Sequence, residues 1–302
     1  EDLLIGLSSW SPSVRKRSAA ELKNRKGDFQ PAILKLMDSN DRYSRYGAAE
    51  ALGQLGAKVD TGVSVSTLTD ALESDDLCLR ILAAEALARI GSPARPAVPL
   101  MLERLARTDR ENDPRGMEQR ILCFSLFNRG GLIGRSLDGI DRELLLRAVR
   151  VGLQNEDGRA RGSLGTVYEN LTYDEIKPLL PAIHQAIVEP APSGIMFASG
   201  IRLSGVALLA KHRIREGMPL CIQIMEIDKW GKKNRITQCL KTLDTYGAAA
   251  KAVLPELRQL EKDLLAHKEA RMLAPVIEQI QAMIDKIDSA TGSVELRGID
   301  DP

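Results

Sequence analysis

Two stretches of this chain, Arg45-Tyr46-Gly47-Ala48-Ala49-Glu50-Ala51-Leu52 and Arg80-Ile81-Leu82-Ala83-Ala84-Glu85-Ala86-Leu87, write the same phrase, each after a Ser-x-Asp turn and before a glycine. A phrase that returns at a regular interval confines a chain to a repeat architecture, because each unit buries its apolar face against its neighbours rather than in a private core. Read from the turn onward, the unit is Ser39-x-Asp41-x-x-x-Arg45-x-x-Ala48-Ala49-x-x-Leu52-x-x-x-Gly56, and the next copy runs through Ser74, Asp76, Arg80, Ala83-Ala84 and Leu87 to Gly91. A looser copy begins at Ser9, with Ser11 in the capping position and Pro12 at the first helical position, where its missing N–H costs nothing. Downstream the phrase thins out through Arg120, Asn155-x-Asp157-x-x-x-Arg161, Arg202 and Arg235, while the spacing grows from about 30 to about 40 residues.

Asp41 and Asp76 have short acceptor side chains suited to the free N–H groups of a helix start, and Gly56 and Gly91 suit a helix stop. The paired alanines between them let another helix approach closely. A second helix follows, plainest in Gly91-Ser92-Pro93-Ala94-Arg95-Pro96-Ala97-Val98-Pro99-Leu100-Met101-Leu102-Glu103-Arg104-Leu105, where a Pro-rich start gives way to apolar residues at helical spacing. Gly247 to Leu257 echoes it, as does Leu179-Leu180-Pro181-Ala182-Ile183. Aromatics make up 4% of the chain, which suits closely stacked helices filled by small and aliphatic side chains. The sequence therefore predicts an all-α fold.

These phrases resemble the HEAT-like repeat family, in particular the bacterial form labelled phycobilisome-lyase HEAT-like, whose pattern is a capped Val-Arg-x-x-Ala-Ala-x-Ala-Leu helix followed by Gly and Ala-Val-x-x-Leu. The match is closest over residues 39–105, looser over 8–38 and 229–265, and positional over 109–228. The resemblance implies an α-α superhelix, a HEAT-like solenoid of about six to seven helical hairpins. It also implies that Asp41, Arg45, Asp76, Arg80, Asp157 and Arg161 form a structural hydrogen-bonded ladder between adjacent units. A residue that recurs in every unit holds the stack together rather than marking one site.

Where the phrase fails, other features stand out. Residues 107–116 form a charged insertion, and Asn128-Arg129-Gly130-Gly131-Leu132-Ile133-Gly134-Arg135 a Gly-rich one; insertions of this kind gather on one edge of a repeat array and often carry recognition. Lys229, Trp230, Lys232, Lys233 and Arg235 compose a local basic patch with one aromatic, a candidate contact for an anion or a partner. The repeats extend over 1–288 and residues 289–302 read as a linker or tail. Leu3-Leu4-Ile5-Gly6-Leu7-Ser8-Ser9 matches the end of a second helix, as in Ile33 to Ser39, so the first unit reads as truncated and the chain as a fragment or processed piece of a longer protein.

Several function classes lack their residues. The histidines, His184, His212 and His267, are far apart and none sits in a His-Glu pair or a His-x-x-x-His spacing, so neither a zinc-protease motif nor the paired ligands of HEAT-type metal hydroxylases is present. The Gly130–Arg135 stretch has neither a preceding strand nor the Lys-Ser/Thr of a nucleotide loop. Residues 193–200 carry glycines and serines without a Gly-x-Ser-x-Gly elbow. Cys78, Cys123, Cys221 and Cys239 form no Cys-x-x-Cys pair, and the last three lie in apolar helical patterns as small buried hydrophobes. With 42 basic against 41 acidic residues, no global field favours nucleic acid or an anionic membrane. No apolar run approaches the roughly 20 residues needed to span a bilayer and no leader pattern precedes the first turn, so the chain reads as soluble without revealing its compartment. No cofactor or metal is expected. The function these features favour is a non-catalytic scaffold presenting a concave helical surface to another protein or domain. The alternatives are an accessory repeat domain that positions an upstream catalytic domain, or nucleic-acid binding through the basic patch.

Overall fold

In the computed structural model, residues 1–58, 60–107, 111–133 and 136–301 are described. They form two compact units, Glu1–Asn170 and Leu171–Pro302, each built of helices. Residues 289–302, set apart by composition, belong to the second unit. Among the described residues, no helix is long and apolar enough to cross a membrane.

The first unit contains α1 (Asp2–Leu7), α2 (Pro12–Asn24), α3 (Gln30–Met37), α4 (Arg42–Leu55), α5 (Thr61–Ala71), α6 (Leu77–Ile90), α7 (Val98–Ala106), α8 (Met117–Phe127), α9 (Arg142–Leu153) and α10 (Gly158–Ser163). The helices that carry the repeated phrase, α2, α4, α6, α8 and α10, stand side by side in one row, with α3, α5, α7 and α9 behind them. Ala48, Ala49 and Leu52 on α4 and their counterparts Ala83, Ala84 and Leu87 on α6 are fully buried, each leucine contributing about 1.5–3 kcal/mol of apolar transfer. The row is tight because its side chains are small. A Cβ added at Gly53 would lie 2.8 Å from the Cα of Ala86, closer than two helices carrying larger residues could come. Asp41 and Asp76 cap α4 and α6 through the N–H groups of Ser44 and of Cys78 and Leu79, and both helices end on a glycine with positive φ, Gly56 at 54° and Gly91 at 79°.

The second unit contains α11 (Tyr173–Ile176), α12 (Leu180–Val188), α13 (Ala198–Lys211), α14 (Gly217–Ile224), α15 (Lys232–Asp244), α16 (Leu254–Ala266) and α17 (Ala270–Ser289). Here α13, α15 and α17 form the row, paired with α12, α14 and α16. The buried Tyr246 donates its hydroxyl to the carbonyl of Ile214 at 2.7 Å, fixing the turn before α14. Beyond α17 the chain comes back to that turn: Arg215 N–H donates to the carbonyl of Arg297 at 2.8 Å, and Arg297 N–H to that of Arg213 at 2.9 Å. The carboxylate of Asp301 meets the Arg215 guanidinium at 3.0 Å, and the guanidinium of Arg297 lies 4.2 Å above the Tyr173 ring. The short Val294–Leu296 alternation thus leads into a single parallel bridge, Ile214 to Arg297.

Candidate functional site

The recurring arginine works first on its own unit. Arg15, Arg45 and Arg80 each donate to the carbonyl six residues earlier, that of Ser9, Ser39 and Ser74, at 2.7–2.8 Å. Arg161 does the same to Asn155 at 2.7 Å. The side chain of that same Ser or Asn accepts the N–H two residues on, as Ser39 does from Asp41, Ser74 from Asp76 and Asn155 from Asp157. The phrase Ser-x-Asp-x-x-x-Arg is therefore one closed turn. Its Ser folds the backbone, its Asp caps the helix, and its Arg neutralises the carbonyl that the turn would leave unpaired.

Links between units use other partners as well. Tyr46 on α4 donates its hydroxyl to Asp76 at 2.6 Å, Arg80 on α6 reaches Glu118 on α8 at 2.9 Å, and Arg120 on α8 reaches Asp157 ahead of α10 at 3.1 Å. Of the six residues expected to form the ladder, Asp76, Arg80 and Asp157 join neighbouring units in this way. Asp41 caps Ser44, while Arg45 and Arg161 hold their own turns.

The pattern is most altered around α8, and two depressions lie there. At the start of α8, the helix is capped not by its own N-cap residue, Gly116, but by Asp113, whose carboxylate accepts from the N–H groups of Met117 and Glu118 at 2.7 and 2.8 Å. This places Glu118 in the helix position held by Tyr43 and Cys78 in the preceding units. The buried Glu118 carboxylate receives Arg80 Nε on one side and Arg104 Nε, from the end of α7, on the other. A polar cavity of about 410 Å³ opens over this Arg80–Glu118–Arg104 cluster, walled by Asp113 to Gly116 and by Gln154 to Glu156. Guanidinium and carboxylate groups alternate around it, so its charge is mixed. Thr108, Asp109 and Arg110 of the insertion lie outside the described residues, as do Gly134 and Arg135 of the Gly-rich one. The described part of the Gly-rich segment folds back on α8: Leu132 and Ile133 are buried, and their N–H groups donate to the carbonyls of Ser125 and Leu126.

The second depression, about 490 Å³, runs over the exposed faces of α6, α8 and α10. Its floor is apolar, made by Ala88, Ile121 and the exposed Phe124, and Arg89, Arg120 and Arg159 stand around it. Beneath, Asp157 is held between Arg120 and Arg159. Hydrogen bonds from the Arg159 side chain, followed by those from its N–H and from Arg120, outweigh burial and pull the Asp157 carboxyl down to about 2. An aspartate whose folded pKa lies below its ordinary 3.8 stabilises the fold above that value and loses the contribution as pH falls through the folded pKa. The shift corresponds to stability on the order of 2 kcal/mol at neutral pH. Asp157→Asn should therefore lower the urea midpoint at pH 7 and flatten its decline between about pH 4 and pH 2, as followed by circular dichroism at each pH. Glu50, buried 3.9 Å from Arg15 Nε, acts in the opposite sense. Burial raises its carboxyl, so its contribution is complete in acid and declines as pH rises through the raised value.

The basic patch is divided by the fold. Arg235 is buried and is the turn arginine of its own unit, donating to the carbonyls of Trp230 and Glu226 at 2.9 and 2.7 Å. Lys232 forms an ion pair with Glu269. Lys229, Lys233 and Trp230 are exposed, Trp230 almost entirely. His267 accepts the N–H of Glu269 through Nδ1, a capping role, and the His212 ring lies tilted against that of Tyr173, 6.1 Å between centroids. Among the described residues, no group of three His, Cys, Asp or Glu side chains is placed to hold a metal. The four cysteines are free; Cys123, Cys221 and Cys239 are buried. Burial pushes the Cys123 thiol up to about 12, and contact with Cys239, then burial, raises that of Cys221, which keeps both thiols protonated and unreactive.

Sequence reasoning passes over Asp113, Glu118, Arg104, Arg89 and Phe124. The available signal for the first two was a second aspartate inside the 107–116 insertion and an acidic residue at a phrase position otherwise held by Tyr43 and Cys78.

No family model matches the chain, and no curated protein matches it. Among solved structures, the X-ray structure of YibA from E. coli superposes with a TM-score of 0.65 over 95% of this chain and 92% of that one, at 15% identity. The likeness is one of fold. Together with the paired, stacked helices of each unit, it places the chain among HEAT-like all-α repeat folds. An archaeal HEAT-like repeats protein from Thermococcus onnurineus NA1 matches 95% of this chain and 97% of its own, at 14% identity and a TM-score of 0.38.

Proposed function

We propose that this chain is a non-catalytic protein-interaction scaffold. The observation that carries the reading is the row of phrase-bearing helices in the first unit. Their small residues are spent on stacking, while Ile81, Glu85 and Arg89 on α6 and Ile121 and Phe124 on α8 form one strip across consecutive units. An apolar and charged strip of this kind, held on rigid elements, suits the face of another folded protein or an extended segment of one. The absence of a motif joining nucleophile, base and orienting group points the same way. Nucleic-acid binding gains less support, because the internal partners of Lys232 and Arg235 remove two cations from the basic patch.

The test is site-specific photo-cross-linking. A photoreactive residue at Ile81, on the strip, should capture a defined protein, and one at the exposed Glu103 on α7 should not. Failure to capture any protein at Ile81, together with turnover of a defined substrate by the chain, would overturn the reading.

A further inference from the structure

We infer that the edge of the second unit formed by the starts of α13, α15 and α17 docks on an anionic lipid surface. This goes beyond the scaffold reading and does not rest on it. Helices α15 and α17 run parallel, since Lys232 meets Glu269 where both begin and Asp244 meets Lys286 where both end, and Arg202 in the second turn of α13 reaches Glu226 just before α15. All three starts therefore share one edge. Six of the twelve large apolar side chains that stand exposed among the described residues lie along it: Ile195, Met196 and Phe197 entering α13, Trp230 entering α15, and Leu265 and Met272 on either side of the turn into α17. The repeat presents tryptophan in a set way. The chain has two, Trp10 and Trp230, and each gives its carbonyl to the arginine five residues on, Arg15 or Arg235, while its ring stands 76% or 95% exposed. A pinned backbone with the indole held outward suits the boundary between water and acyl chains, where such rings settle.

The charges on this edge name the surface. Lys229, Lys233, Lys268 and Arg271 are exposed, and among the described residues none of the four has an ion-pair partner. The carboxylates nearby are mostly engaged: Glu226 by Arg202 and Arg235, Glu269 by Lys232 and Glu189 by Gln185, which leaves Asp228 beside His267. Open cations thus outnumber open anions around the apolar side chains. Basic groups held close to a negative leaflet and apolar groups inserted into it are the two signals that peripheral docking combines. A folded protein would need a recess for each projecting side chain, whereas Met196, 82% exposed, and Trp230 project from separate turns, and a fluid surface receives them without one. The near-neutral charge of the whole chain does not oppose this. At physiological salt the attraction acts over about 8 Å, so only the charges on the edge itself count.

The experiment mixes the 302-residue chain, carrying Trp10→Phe so that Trp230 is the sole indole, with vesicles of phosphatidylcholine alone or of phosphatidylcholine and phosphatidylserine. We expect the chain to co-sediment with the mixed vesicles far more than with the neutral ones and to be released as salt is raised, with Trp230 emission shifted to the blue and quenched by lipids brominated on the acyl chain. Replacing Lys229 and Lys233 by Gln, or Ile195 and Met196 by Ser, should each weaken binding about tenfold. All four side chains are exposed, and melting curves matching the parent confirm the fold. No co-sedimentation with the mixed vesicles, equal binding to both kinds, unchanged Trp230 emission, or binding unaffected by both pairs of substitutions would each overturn the inference. So would a blue shift with soluble polyglutamate and none with vesicles, which would assign the edge to an acidic protein instead. Cross-linking at Ile81 reports on the first unit alone, so either reading can fail while the other stands.

Discussion

Replacing Glu118 by alanine is expected to lower the unfolding free energy by about 3–5 kcal/mol, a drop in melting temperature on the order of 10 °C for a unit of this size. The side chains of Arg80 and Arg104 both turn on this one carboxylate, and Arg80 is 3% exposed. Removing the carboxylate leaves two guanidinium groups facing each other in a poorly solvated place, and the uncompensated buried charge dominates the loss of the hydrogen bonds themselves. Arg80→Ala should cost less, because Glu118 keeps Arg104 and only the Ser74 carbonyl loses its donor. Urea unfolding of both variants orders the two effects. If Glu118→Ala costs less than Arg80→Ala, the carboxylate is not the hub of the cluster.

Gly53→Val is expected to cost about 3 kcal/mol, near the upper end for overpacking. The added Cβ would stand 2.8 Å from the Cα of Ala86 and 2.9 Å from its Cβ, and a backbone atom cannot swing aside as a flexible side chain does. The two helices must separate, which loosens Leu52 and Leu87 on either side of the seam. Gly53→Ala sets the same clash against a helix-propensity gain of about 1 kcal/mol, so its net effect should be smaller while keeping the same sign. A stabilised Gly53→Ala protein would mean that α4 and α6 do not approach as closely as described.

The repeated phrase made much of this fold legible before any coordinates. Asp41, Asp76 and Asp157 cap helices, Gly56 and Gly91 stop them, and Ala48-Ala49 and Ala83-Ala84 face the neighbouring helix, all properties set within a few residues of the phrase itself. What the phrase could not convey was direction. Arg45 has the same neighbours in sequence whether it turns back to Ser39 or forward to another unit, and the choice is made by a carbonyl that needs a donor. Glu118 and Arg80 lie 38 residues apart, and Lys232 and Glu269 37 apart, so no local pattern announces either pair. The basic patch misleads for the same reason: Lys232 and Arg235 follow Trp230 within five residues, yet one is drawn to Glu269 and the other into the turn. The candidate grooves emerge from that same region of departure, since the 107–116 insertion displaces the capping aspartate to Asp113 at the start of α8 and the Gly-rich segment folds back on its other end.

The closed Ser-x-Asp-x-x-x-Arg turn bears on how such a chain changes length over generations. Because Arg15, Arg45 and Arg80 each donate to a carbonyl of their own unit, a copied unit arrives with that carbonyl already paired, although Arg15 and Arg80 also meet a carboxylate of the next unit, Glu50 and Glu118. The stretch from Arg104 to Asp157 is less self-contained. Its charges are shared across unit boundaries, Arg80 and Arg104 with Glu118, Arg120 with Asp157, so duplicating or deleting any part of it strands a charge. The segment that carries both depressions is thereby tied to its neighbours by charge as well as by packing, through Arg80 at one end and Asp157 at the other.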